Sequence, residues 1–243
     1  MIENPSTLLV ICGYDGDEHQ IKTFLPLYEH HNIPIVVLSP EDAPIKAMGP
    51  HICISRGKRA YTGQDSLNRQ HLHLREALRF PFKHYLFHDA DSFTITPQIP
   101  AYLYERDDVF YSNQVNDFRV PGGTWEDGTV WPIDFHEGYP LIAMQPPYFM
   151  SRGILEKLVE AGKDFSIKAC EITPFIDFYM VQLCTKQHIK HKPFRDGVSC
   201  ETVTENGRAI VSRYVREGAN MIHSVKSEEA MNLLMEAYKE RTK

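Results

Sequence analysis

No apolar run in this chain approaches the roughly 20 residues that a membrane-spanning helix needs. Cysteine is sparse and unpatterned: five residues, Cys12, Cys53, Cys170, Cys184 and Cys200, with no Cys-x-x-Cys pair. That scatter gives no support to a structural zinc site, and it predicts reduced thiols in a cytosol-like compartment. An excess of basic charge is missing too. Lys and Arg number 26 against 32 Asp and Glu, for a formal net charge of -6. This argues against nucleic-acid binding by overall charge and leaves only a local patch open. Internal repeats and low-complexity linkers are absent. The N-terminus carries Glu3 and a short strand-like run, not a basic region followed by a long apolar core. No signal peptide is predicted, and the expected location is cytoplasmic.

What is present is enough for one sizeable α/β domain: 243 residues, 42% of them hydrophobic. Leu8–Cys12 is a continuous apolar run that ends in Gly13-Tyr14-Asp15-Gly16-Asp17. It reads as a strand buried on both faces and followed by a loop. A helix is predicted from Glu18 to His30, a second buried strand over 33–38 and a short third one over 51–54. A helix over 66–80 carries Leu67, Leu74 and Leu78 on its apolar side. Tyr85–His88 is a further strand, as are Val109–Ser112, 141–144 and 148–150. Ser151 caps a helix from Arg152 to Ala161. Thr173-Pro174 opens another, with Phe178, Val181 and Leu183 as packing residues. The last helix runs from Ser227 to about Arg241, with acids in its first turn and bases in its last, which complements the helix dipole. Strand–helix alternation of this kind predicts a mixed, mostly parallel central sheet with helices on both faces. The segment 116–140 has no helix or strand period and holds Trp125 and Trp131. It reads as an ordered, functional loop region, or as an irregular excursion with the tryptophans as its own small core.

The most informative feature is His88-Asp89-Ala90-Asp91-Ser92, at the end of the run Tyr85-Leu86-Phe87. Strand alternation turns Asp89 and Asp91 to the same side. Two carboxylates at the carboxyl end of a buried strand suit a hard divalent cation, Mn²⁺ or Mg²⁺. Such a cation is the usual partner of a nucleotide diphosphate. In open α/β sheets ligands bind outside these strand ends, where Asp15 and Asp17 are also expected. The plainer alternative is a solvated strand-end turn.

With these elements in order, most of the chain, roughly residues 8 to 226, resembles the GT-A glycosyltransferases. The resemblance implies a single GT-A-like (Rossmann-like) domain over 1–243. Residues of about 1–95 would form the nucleotide-sugar half and about 96–226 the acceptor half, with 227–243 a C-terminal helix. It implies that Asp89 approaches the ribose and the metal, and that Asp91 is the main metal ligand. His223 in Asn220-Met221-Ile222-His223-Ser224-Val225-Lys226 matches a late metal-binding histidine, and Lys226 a lysine that reaches the diphosphate. The glycine usual between the two is missing here. Cys12, Gly13, Tyr14 and Asp15 occupy the loop that receives the nucleobase. Arg59, with Arg56 and Lys58, matches the basic segment at the pyrophosphate. Pro146-Pro147 stand where glycines are common beside the donor sugar. Asp177 matches the acid that deprotonates the acceptor hydroxyl in inverting members. Asp134, Glu137 and Glu171 compete for that role, and a charge at a helix N-terminus is the structural alternative.

The expected activity is metal-dependent transfer from a nucleotide-diphosphate sugar to an acceptor hydroxyl, with a slight lean to inversion. The acceptor is a glycan, or a modified DNA base met by the basic run 186–195. A sugar-nucleotide-forming nucleotidyltransferase is the first rival, but its Gly-rich, Arg-bearing loop is replaced here by the acidic Gly13–Asp17. A non-catalytic carbohydrate-binding domain is the second. A zinc site on His71 and His73 is set aside, because residues two apart on a helix do not share a face. The sequence leaves the oligomeric state open.

Overall fold

The computed structural model describes residues 7–13, 17–29, 35–38, 45–47, 53–55, 64–94, 99–113, 115–117, 142–163, 179–180, 183–184, 186–199, 207–223, 225 and 227–241. In chain order the first half holds β1 (Thr7–Cys12), α1 (Glu18–Glu29), β2 (Ile35–Leu38), β3 (Ile45–Ala47), β4 (Cys53–Ser55), α2 (Gln64–Ala77), β5 (His84–Asp89), β6 (Phe93–Thr94), β7 (Val109–Ser112) and β8 (Val115–Asp117). Then come β9 (Ile142–Met144), β10 (Tyr148–Ser151), α3 (Arg152–Gly162), β11 (Lys190–Pro193), β12 (Gly197–Ser199), α4 (Gly207–Arg216), β13 (Met221–His223) and α5 (Glu228–Arg241).

Because β1 is apolar on both faces, it needs a neighbour on each edge and cover on each side. The central sheet supplies this with the order β11-β7-β10-β5-β1-β2. β1 is parallel to β2 and β5, and β11 is parallel to β7. β10 alone runs against its neighbours β5 and β7. The sheet is mixed and mostly parallel. Alternate residues feed two cores. Leu8 and Val10 join Tyr85, Phe87, Phe110 and Tyr148 under residues of α2 and α3. Leu9 and Ile11 join Leu86, Val109, Tyr111 and Phe149 under residues of α1 and α5. A second small sheet has the order β12-β13-β6. No helix among the described residues is long and apolar enough to cross a membrane.

The differences from the sequence reading have local causes. α2 ends at Ala77 and not at Phe80, because Arg79 N and Phe80 N donate to Glu76 O and Ala77 O in tight turns. At the start of the expected loop 116–140, Val115–Asp117 forms a strand that pairs with Ile142–Met144 as an antiparallel ribbon. That ribbon brackets 118–141, which lie outside the described residues together with Trp125 and Trp131. Of the helix expected from Thr173, the described Tyr179, Met180, Leu183 and Cys184 are all buried. Burial pushes the Cys184 thiol up to about 12, so it is inert as a nucleophile. Neither Cys12 nor Cys184 forms a disulfide.

Ser151 ends β10 and caps α3. Its Oγ accepts from Ile154 N at 3.4 Å and donates to Asp107 O at 2.7 Å. A lost N-cap costs about 1 kcal/mol, and a lost buried hydrogen bond costs a similar amount. Ser151→Ala is expected to lower unfolding stability by about 1–2 kcal/mol, read from urea midpoints at unchanged m-value. An unshifted midpoint contradicts the capping role.

Candidate metal centre and active site

The strand register brings one edge of the sheet together. Cys12 stands opposite both Leu38 and Asp89, so β1, β2 and β5 finish level. Tyr148, at the start of antiparallel β10, stands opposite Phe87 on one side and Ser112 on the other. Pro193 stands opposite Ser112. The carboxyl ends of β1, β2, β5, β7 and β11 and the beginning of β10 therefore share this edge, where open α/β sheets bind their ligands. Asn113 sits just past β7, buried, with its N–H shared between Gln145 O at 2.9 Å and Pro147 O at 3.1 Å. The Pro146-Pro147 bond is cis. Asn113 was legible only through its place at a strand's carboxyl end, a signal the sequence reading did not use.

Asp89 is the last residue of β5. Asp91 is not on the strand, as alternation had implied. Ser92 N donates to Asp89 O at 3.0 Å and closes a tight turn that carries Asp91. The two carboxylates converge all the same. β13 is antiparallel to β6, with Met221 opposite Thr94 and Ile222 opposite Phe93. It delivers His223 to the turn. Val225 N donates to Asp91 O at 2.9 Å and clamps the chain just beyond His223 against the same turn.

The result is one cluster. A ligand atom from each of Asp89, Asp91 and His223 lies within 4.8 Å of the others. Asp91 and His223 are buried, and Asp89 is half-buried. His223 Nε2 lies 3.6 Å from Asp91 Oδ1, within ion-pair distance. Donors about 2.1 Å from one octahedral ion stand about 3 to 4.2 Å apart. The spacings, none above 4.8 Å, meet that range after a shift of at most about 0.6 Å. Two carboxylates and an imidazole suit Mn²⁺, and Mg²⁺ less well because of the nitrogen. The residues present fit a divalent metal. Among the described residues no other group of three acids, histidines or cysteines converges in this way. His71 and His73 on α2 do not contribute.

His88 lies behind the turn, with its ring fully buried. Burial, reinforced by nearby His223, holds its pKa down to about 3, so the ring is neutral. Cys12 and Gly13 are buried at the end of β1, beside Asp89. Tyr14, Asp15, Arg59, Asp177 and Lys226 lie outside the described residues, as do Arg56, Lys58, Asp134, Glu137 and Glu171.

The basic run 186–195 contains the edge strand β11, where lysine and proline discourage further strand pairing. It is not an unopposed cationic stripe. Lys190 Nζ donates to Asp108 Oδ2 at 3.4 Å, and the same carboxylate accepts from Arg106. The Arg195 guanidinium stacks 4.7 Å above the Tyr102 ring, whose hydroxyl donates to Asp196 Oδ1 at 2.9 Å. Asp108 opposes Lys190, and Asp196 follows Arg195 at the end of the run.

Gly197 opens β12 where a side chain has no room. A Cβ there would press on Asn113 Oδ1 and lie 2.8 Å from Phe194 Cβ. The Phe194 Cβ moves only with its backbone. Gly197→Ala is expected to cost about 1–3 kcal/mol by overpacking, checked by thermal and urea unfolding. A neutral result means that β12 yields freely.

Similarity to known proteins bears on this geometry. No protein-family model matches the chain, and no curated protein matches it. Among solved structures, the apo form of the WbbM bifunctional glycosyltransferase superposes with a TM-score of 0.56 at 12% identity, over 100% of this chain and 53% of that one. The chain has a GT-A-like fold. It spans about half the length of the WbbM chain. A glycosyltransferase involved in glycosylation of the major capsid of PBCV-1 aligns at TM-score 0.47 and 10% identity, over 97% of this chain and 98% of that one. An inositol-1-phosphate CTP transferase from T. maritima aligns at TM-score 0.46 and 9% identity, over 97% and 96%. At such identities the likeness to a GT-A-like protein is one of fold. The chemistry has to be argued from the cluster.

Proposed function

We propose that the chain is a metal-dependent glycosyltransferase that moves a sugar from a nucleotide-diphosphate donor to an acceptor hydroxyl. The observation that carries this reading is the convergence of Asp89, Asp91 and His223 at the ligand-binding edge of a GT-A-like sheet. Asp89, Asp91 and His223 would hold the cation, Mn²⁺ by preference. When bound, the cation supplies positive charge that stabilises the departing nucleoside diphosphate.

In this reading the chain's own residues divide the remaining work. Residues of about 1–95 serve the donor, and about 96–226 serve the acceptor. Asp89 also approaches the ribose. Cys12 and Gly13, with Tyr14 and Asp15, receive the nucleobase. Arg59 and Lys226 hold the diphosphate as fixed cations. Asp177 takes the proton from the acceptor hydroxyl in an inverting displacement. The acceptor we favour is a glycan. A modified DNA base was tied to the basic run, and the acids set among its bases, Asp108 and Asp196, weaken that link.

Product analysis with a panel of nucleotide sugars tests the reaction class. Release of a nucleoside diphosphate, dependent on Mn²⁺ and abolished by EDTA, is the expected result. Release of pyrophosphate from a nucleoside triphosphate and a sugar phosphate would instead establish the nucleotidyltransferase. Binding of sugar with neither product would establish a carbohydrate-binding domain.

A further inference from the structure

We infer that His88 is a positioning residue for the metal cluster, acting through Thr94 and Met221; this rests on the reading of Asp89, Asp91 and His223 as metal ligands. The path is continuous and buried. His88 Nε2 lies 3.1 Å from Thr94 Oγ1, and Thr94 Oγ1 donates to Met221 Sδ at 3.2 Å. Thr94 and Met221 are also direct partners in the β6–β13 ladder. Met221 and His223 are two apart on one strand, so their side chains share a face. Fixing Met221 against Thr94 therefore fixes the strand that presents His223 to Asp91. His88, Thr94 and Met221 are all at most 3% exposed, so water does not replace a lost partner.

The Thr94 hydroxyl thus bridges the His88 ring and the Met221 sulfur. A slip of one residue between β6 and β13 would turn His223 to the opposite face. The two-residue β6 has no ladder length of its own to prevent that slip. The His88–Thr94–Met221 chain supplies the missing specification. It ties β6 to β5, the strand that carries Asp89, so both halves of the ligand set are referred to one strand.

The test is a Mn²⁺ titration of the full-length chain without nucleotide, followed by electron paramagnetic resonance of free Mn²⁺. Loss of an orienting partner typically weakens metal binding 10- to 100-fold. His88→Leu and Thr94→Val are each expected to raise the Mn²⁺ dissociation constant by about that factor. His88→Gln keeps a polar amide that can hydrogen-bond the Thr94 hydroxyl and is expected to restore binding to within about threefold of wild type. Leu158→Ala on α3, a buried position among other residues, is the control for lost stability alone and should leave the constant unchanged. Wild-type affinity in both His88→Leu and Thr94→Val overturns the proposal and leaves the metal cluster standing. Equal weakening in Leu158→Ala overturns it as well, by assigning the effect to general destabilisation. Failure of the wild-type chain to bind Mn²⁺ overturns the metal reading, and the proposal with it.

Discussion

Asp91→Asn and His223→Ala each lower metal-dependent turnover of the nucleotide-sugar donor by at least about 100-fold, the loss typical when a fixed charge-stabilising group is removed from a site. Asp91→Asn is close to isosteric, so it tests charge more than shape. The Asp91 backbone carbonyl still accepts from Val225 N, and the turn itself survives. His223→Ala removes the only nitrogen donor in the cluster. Rates at saturating donor, with Mn²⁺ from micromolar to millimolar, separate two origins of the loss. A defect recovered at high Mn²⁺ is one of metal affinity, and a defect that persists is one of charge placement. Asp108→Asn is the control: a carboxylate at the opposite end of β7, engaged with Arg106 and Lys190. Its turnover should match wild type. Retention of activity in both Asp91→Asn and His223→Ala would remove the cluster from the chemistry.

The largest effect on stability is expected from Phe149→Ala. Phe149 sits on β10, hydrogen-bonded between β5 and β7, and is 1% exposed. Its ring stacks on His84 at 5.5 Å and meets Tyr104 edge-on at 5.2 Å and Tyr111 at 6.5 Å. These neighbours belong to three separate segments, so no single movement fills the void. Removing a fully packed phenylalanine costs about 3–5 kcal/mol. Domains have only about 5–15 kcal/mol in total. Urea unfolding should show the midpoint falling by a third or more, and much of the variant protein should be insoluble on expression. A loss under about 1 kcal/mol would mean that β10 is not the packed centre of this sheet.

The parts of the fold that the sequence revealed are those whose burial writes a local pattern. β1 and β5 are covered on both faces, so Leu8–Cys12 and Tyr85–Phe87 stand out as continuous apolar runs. Ser151 is legible as a cap because its side chain acts three residues away. The parts that escaped are short and specified at long range. β6 has two residues and β12 and β13 have three each; what makes them strands is pairing outside their own neighbourhood, β6 with β13 across more than 100 positions and β12 with β13 from Gly197–Ser199 to Met221–His223. β11 reads as a solvated basic run because its Lys190, Lys192 and Pro193 are exposed at the sheet edge. The turn at Asp91 escaped for a related reason. Ala90 is small and buried and continues the strand alternation, so only the Ser92–Asp89 hydrogen bond distinguishes turn from strand. The pair Asp89 and Asp91 was legible from the residues themselves. His223 became legible through the resemblance, and β13 is what brings it to them.

The most direct test of the central claim is calorimetric titration of the wild-type chain and Asp91→Asn with a panel of nucleotide-diphosphate sugars, in Mn²⁺ and again in EDTA. Binding of one donor by the wild type in Mn²⁺, lost in EDTA and lost in Asp91→Asn, is the predicted result. Donor binding that is indifferent to EDTA and to Asp91→Asn, or binding of no donor with Mn²⁺ present, would contradict the account and leave Asp89 and Asp91 as a strand-end turn.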